Sequence, residues 1–143
     1  MILYYITDRM QFPGREAERQ KRLLQRIEEA ARSEIDFIQL REKDLRACDL
    51  EVLAREAAER VQAAKSRTRL LINSRTDVAL AAGADGVHLR SRDVSPVDVR
   101  SAWRSVAGPE SKPLVGVSCH TEVEVSAAAA GEADFVVFGP VFE

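Results

Sequence analysis

In Phe37-Ile38-Gln39-Leu40-Arg41-Glu42-Lys43 the side chains of a strand would alternate between two faces. Gln39, Arg41 and Lys43 fall on one face. Ile38 and Leu40 fall on the other, which is predicted to pack on helices. Two cations and an amide are too costly on the buried face of a core strand. They are tolerable at the carboxyl end of a barrel strand, where the mouth of the barrel binds ligands. Arginine and lysine converging there suit a phosphate or diphosphate. The competing reading is that the strand simply ends and its charges meet water.

Around this stretch, short apolar runs rich in β-branched and aromatic residues recur at 2–7, 36–41, 70–73, 86–89, 114–118 and 135–139. Their near-continuous apolarity predicts strands buried on both faces. Helical stripes lie between them: Leu23, Leu24, Ile27 and Ala31, then Leu50, Leu53, Ala57, Val61 and Ala64. A short helix over 77–82 should stop at Gly83. Ser95 followed by Pro96 starts another helix and Gly108 closes it. Thr121 and Glu124 have the spacing of a capping box. Strict alternation of strand and helix means parallel strands joined by right-handed crossovers, in an open doubly wound sheet or a closed barrel. The turn after the first strand holds Pro13 and Gly14 but no glycine-rich phosphate fingerprint, which argues against the doubly wound alternative.

Polar residues recur where successive strands end. Asn73, Ser74 and Arg75 follow the third run, and Asp93 lies in the loop after the fourth. Ser118 and His120 share a face, leaving Cys119 on the opposite one. His88, inside the fourth run, reads most simply as a structural histidine, and a loop aspartate as a cap or turn. A barrel, however, brings all of these strand ends to one rim.

Bulk properties narrow the partners. The net charge of -2 offers no general attraction to nucleic acid or to a membrane, so an anionic small molecule must be held by local cations. Cys48 and Cys119 have neither metal-ligand nor disulfide spacing, which fits a reducing compartment. No apolar run reaches membrane-span length, and residues 1–8 lack a charged-then-apolar leader. A cytoplasmic protein is expected.

Six motifs together resemble the thiamine phosphate synthase family. They are Tyr5-Ile6-Thr7-Asp8, Gln39-Leu40-Arg41-Glu42-Lys43, Leu71-Ile72-Asn73, Gly83-Ala84-Asp85-Gly86-Val87-His88-Leu89, Gly116-Val117-Ser118 with His120-Thr121, and Gly139-Pro140-Val141-Phe142. They stand in the family's order and spacing along the whole chain. Thiazole tautomerases share the pattern and the barrel. The resemblance implies an α/β fold, a parallel (β/α)8 TIM-type barrel, here truncated after strand six, so that residues 1–143 form one incomplete domain. It also implies a transferase joining hydroxymethylpyrimidine diphosphate to a thiazole phosphate, with diphosphate leaving before the thiazole nitrogen attacks. Such a reaction depends on neutralising the leaving group.

Carried over by position, Gln39, Arg41 and Lys43 would hold pyrimidine and diphosphate. Asn73 would contact either part, Ser118 the diphosphate, and Asp93 a magnesium ion. Catalytic roles fall to Arg41, Lys43, Ser118 and His120, the last matching the proton shuttle of the tautomerases. Two departures stand out. The family usually reads Asn-Asp-Arg where this chain has Asn73-Ser74-Arg75, so one magnesium carboxylate is replaced by Ser74. It also usually reads His-Leu-Gly-Gln before an acidic pair, where Leu89 is followed here by Arg90, Ser91 and Arg92 before Asp93. These arginines either hold diphosphate with less help from metal or face water. A tautomerase and a non-catalytic barrel binding thiamine or thiazole phosphate remain open as alternatives. A parallel sheet of six strands would have two open edges, through which the chain is expected to self-associate.

Overall fold

A computed structural model describes residues 1–141; Phe142, which ends the last motif, lies outside the described residues. The strands are β1 (Tyr4–Ile6), β2 (Phe37–Leu40), β3 (Arg69–Asn73), β4 (Gly86–Arg90), β5 (Leu114–Cys119) and β6 (Phe135–Phe138). Between them run helices α1 (Glu16–Arg32), α2 (Ala47–Ala63), α3 (Thr76–Ala82), α4 (Pro96–Ala107) and α5 (Glu122–Ala130), with a 3-10 turn at Arg9–Gln11. All neighbouring strands pair in parallel, in the order β1-β2-β3-β4-β5-β6. Strand order follows chain order throughout, without the reversal that defines a doubly wound sheet.

The sheet curls strongly. Five inter-strand spacings would separate the outer strands of a flat sheet by about 24 Å. Yet the rings of Tyr4 on β1 and Phe135 on β6 are 5.8 Å apart, and Phe37 on β2 stacks on Phe135 at 5.1 Å. Their side chains meet inside a half-barrel. Gly116 makes room for this contact, because a Cβ there would come within 2.4 Å of the Phe135 ring.

Alternation along the strands decides what each face touches. Ile38, Leu40, Leu70, Ile72, Val87, Leu89, Val115, Val117 and Cys119 point outward and are buried beneath the helices. The facing stripes are Leu23, Leu24, Ile27 and Ala31 of α1 and Leu50, Leu53, Ala57 and Val61 of α2, as their spacing predicts, while Ala64, the last of the predicted stripe, is half-buried at the C-cap of α2. Each fully buried leucine contributes on the order of 2 kcal/mol by leaving water. Burial on both faces holds for β3 and β4 but fails for β6, where Val136, Val137 and Phe138 are exposed. β6 is an edge strand with little helix cover, so its apolar composition is not matched by burial.

Local signals set the helix ends. Ser95 accepts from the Asp98 backbone N–H and Pro96 opens α4, while Gly83 ends α3 in the left-handed region at φ 69°. The expected capping box at α5 forms only by half. Thr121 accepts from the Glu124 N–H, but the Glu124 carboxylate accepts from the His120 N–H at 2.6 Å instead of closing on Thr121.

Candidate functional site

The inward-facing residues of β1, β2, β4 and β5 form a hydrogen-bonded chain across the half-barrel. Gln39 Nε2 donates to the Tyr4 hydroxyl at 2.8 Å. That hydroxyl lies 2.8 Å from His88 Nδ1, and His88 Nε2 lies 2.8 Å from Ser118 Oγ. One arrangement gives every contact its own proton. Tyr4 accepts from Gln39 and donates to Nδ1, and Nε2–H then donates to Ser118. The Ser118 proton is left for a ligand oxygen at the mouth.

His88 is neutral in this setting. Burial, and secondarily the positive charge of Arg41, lower its pKa from 6.5 to about 4. An unfolded chain would take up the proton near 6.5, so the unfolded state binds more protons between those values. The stability contributed by the neutral ring is therefore complete above pH 6.5 and is lost as pH falls toward 4. Urea unfolding over this range should show a loss on the order of 3 kcal/mol. In His88→Phe the slope should flatten; an unchanged slope would assign the effect to other groups.

At the carboxyl ends of β2, β3 and β4, a pocket of about 240 Å³ is lined by Lys43, Asn73, Ser74, Arg75 and Arg90 among others. Arg75 is paired with Asp77 at 2.6 Å. Lys43 is exposed and Arg41 half-buried, and neither has an ion-pair partner among the described residues. The structure thus groups Gln39 and Ser118 through His88, sets Arg41 close enough to act on His88, and brings Lys43, Asn73 and Ser74 together with Arg90. His120 stands outside both groups: its Nδ1 bonds to the Gly139 carbonyl, and the ring is exposed.

Asp93 is held from several sides. Ser74 Oγ donates to it at 2.6 Å, the Arg90 backbone N–H at 2.8 Å, and the Arg90 guanidinium at 3.0 and 3.2 Å. Burial alone would push this carboxyl up, but those donors outweigh it and hold it below the usual carboxylate range. Ser74 reaches it from a left-handed backbone at φ 59°, fixed by its N–H donating to the His88 carbonyl at 2.9 Å. Magnesium, implied by the family resemblance, was expected on Asp93. Among the described residues no group of three histidine, cysteine, aspartate or glutamate side chains could hold a metal ion. With its carboxylate engaged by a guanidinium and a hydroxyl, Asp93 does not fit a metal site built by the protein.

A second cluster, not foreseen from sequence, fixes the cationic loop. Arg9 is 3% exposed, and its guanidinium contacts Glu42 at 3.1 Å, Asp44 at 2.7 Å and Glu16 at 2.7 Å. Hydrogen bonding to Asp44, with help from Glu16 and Glu42, raises the Arg9 pKa against the effect of burial. Thr7 Oγ1 donates to the buried Glu42 at 2.6 Å and accepts from the Arg41 N–H at 3.0 Å. Glu42 therefore anchors the backbone that presents Arg41 and Lys43. Thr7 and Glu42 stood in quoted motifs but with no role attached, and Tyr4 and Arg9 carried no signal beyond lying in or beside the first apolar run. Pairing residue 4 with 39, or 9 with 42, required the register.

Similarity to known proteins bears on the family and the fold. Residues 3–143 match the family model described as thiamine monophosphate synthase. A Geobacter sulfurreducens relative is 47% identical over 98% of this chain and 59% of its own length. The thiamine-phosphate synthase of Solidesulfovibrio magneticus is 38% identical over 98% of this chain and 60% of its own. Among solved structures, the thiamine phosphate pyrophosphorylase of Pyrococcus furiosus superposes with a TM-score of 0.75 at 25% identity, over 99% of this chain and 61% of that one. The chain thus spans about three fifths of the length of these relatives. No helix is long and apolar enough to cross a membrane among the described residues. With the motifs carried on a curled parallel sheet and the family model matched over nearly every residue, the chain belongs to the thiamine monophosphate synthase family.

Proposed function

We propose that the protein is a thiamine phosphate synthase-type transferase, acting in the cytoplasm on small phosphate substrates in thiamine biosynthesis. In this reading the half-barrel is the first part of a (β/α)8 barrel. The exposed apolar residues of β6 and the partial coverage of the Pyrococcus chain support that extension. The observation that carries the function is the gathering of Lys43, Asn73 and Arg90 in one pocket at the strand ends, next to the polar chain that joins Ser118 to a neutral His88 within the field of Arg41.

The chemistry follows from what those groups do. The bond between the pyrimidine methylene carbon and the diphosphate oxygen breaks, and the electron pair leaves with diphosphate. Arg41, Lys43 and Arg90 stabilise the charge that develops on the departing oxygens. Ser118, already accepting from His88, donates its free proton to an anionic oxygen. Gln39 is fixed against Tyr4 and lies beside the pyrimidine. The thiazole nitrogen then attacks the cationic carbon, forming the new C–N bond.

Incubating the protein with hydroxymethylpyrimidine diphosphate and thiazole phosphate, with and without magnesium, should yield thiamine phosphate and diphosphate. No product under either condition would reject the transferase reading. A tautomerase reading draws support from Ser74 in place of a carboxylate and from His120, whose ring is exposed. Interconversion of thiazole tautomers that is abolished in His120→Ala, without any coupling product, would favour it.

A further inference from the structure

We infer that Arg90 is a built-in counter-cation, standing where a metal ion would stand beside Asp93, so that the diphosphate end of the site binds its anion without metal. The inference rests on the proposed reading of this rim as a diphosphate site, and concerns how the charge there is balanced.

An ionised aspartate has about four lone-pair positions. Asp93 Oδ1 receives Arg90 Nε at 3.2 Å and Nη2 at 3.0 Å. Oδ2 receives Ser74 Oγ at 2.6 Å and the Arg90 N–H at 2.8 Å. All four positions are taken by donors on the chain itself. A divalent ion could reach Asp93 only by displacing a guanidinium, and would then sit against that like charge.

Arg90 belongs to the site through its place in the fold. It ends β4, two residues beyond His88 on the same face, and its backbone pairs in register with Ser118. The side chain is 69% exposed and lines the same pocket as Lys43, Asn73 and Ser74. Its Nη1 has no partner among the described residues, so the fork holds Asp93 through one edge and keeps donors for an anion. A planar guanidinium is suited to bidentate contact with phosphate oxygens. Ser74 completes the device: its hydroxyl donates to Asp93, whereas a carboxylate there would repel it. The left-handed backbone at Ser74 is one that aspartate adopts readily, so Ser74→Asp is sterically compatible.

Titrating inorganic diphosphate into the protein by calorimetry, once in EDTA and once in excess magnesium, tests the inference. Dissociation constants within about threefold of each other are expected, since a fixed cation supplies most of the charge. Arg90→Gly should weaken binding in EDTA by about thirtyfold, on the scale of charge-assisted hydrogen bonds, and Arg90→Lys should recover part of it. The double variant Ser74→Asp with Arg90→Gly should take up magnesium alone, giving heat that the parent protein lacks. Diphosphate binding by the parent protein only with magnesium would overturn the inference while leaving the diphosphate reading in place. An Arg90→Gly variant that binds as tightly in EDTA as the parent would overturn it too. Absence of binding in both buffers would remove the diphosphate reading together with this inference.

Discussion

Arg9→Met is expected to destabilise the fold by about 3–4 kcal/mol, the scale on which removing one partner of a buried ion pair acts. The substitution keeps much of the apolar volume but deletes the guanidinium that meets Glu42, Asp44 and Glu16. Asp44 and Glu16 are open to water and tolerate the loss. Glu42, whose side chain is 1% exposed, keeps only the Thr7 hydroxyl and the residue 9 backbone N–H as donors. Adding Glu42→Gln to Arg9→Met should restore more than half of the lost stability, because it removes the stranded charge. Urea unfolding of the single and double variants measures both effects. A loss below about 1 kcal/mol in Arg9→Met would mean that the desolvation of the pair already offsets its attraction. Because Glu42 lies between Arg41 and Lys43, the single variant should also weaken anion binding without altering either cation.

Arg41→Ala should weaken binding of inorganic diphosphate by about a hundredfold, whereas Arg92→Ala should change it by less than about twofold. Arg41 faces the interior of the half-barrel and acts on the buried His88, where its field is poorly screened. Arg92 is exposed in the loop before Asp93 and has no ion-pair partner among the described residues, so water already solvates it. Calorimetry on both variants separates the two positions, and equal losses would show that the anion sits elsewhere on the rim. A second readout checks the geometry. Removing the Arg41 charge should move the His88 titration upward from about 4, though only part of the way, since burial is the larger cause of its depression. An unmoved His88 resonance in NMR titration would place the guanidinium away from the ring.

Much of the architecture was legible along the chain because it depends on near neighbours. The stripes of α1 and α2 bury the residues their spacing marks, and Ser95, Pro96, Gly83 and Gly108 set helix ends by rules acting within a turn. The period-2 alternation of Gln39 against Ile38 and Leu40 likewise separated the inner face from the face under the helices, but β2 ends at Leu40 and Lys43 lies in the turn beyond it, where strand alternation no longer applies. β6 misled, because apolar composition records what a strand can bury and not whether a neighbour covers it.

The site divides along the same line. Which residue types gather at the strand ends was fixed by sequence and periodicity: Gln39, Arg41, Lys43, Asn73, Asp93 and Ser118 were all named from their spacing and motifs. What each of them touches was decided by strand register and curl, which bring together residues far apart in the chain, as in the bond from Tyr4 to His88, 84 positions on. Register turned a histidine that read as structural into the neutral centre of a polar chain. The pairing of Arg90 with Asp93, three residues on, is by contrast a local turn contact, and register adds only Ser74, which reaches the same carboxylate from the end of β3. Local spacing determines which face a side chain takes; only the register and curl of the sheet determine which distant side chain it meets there.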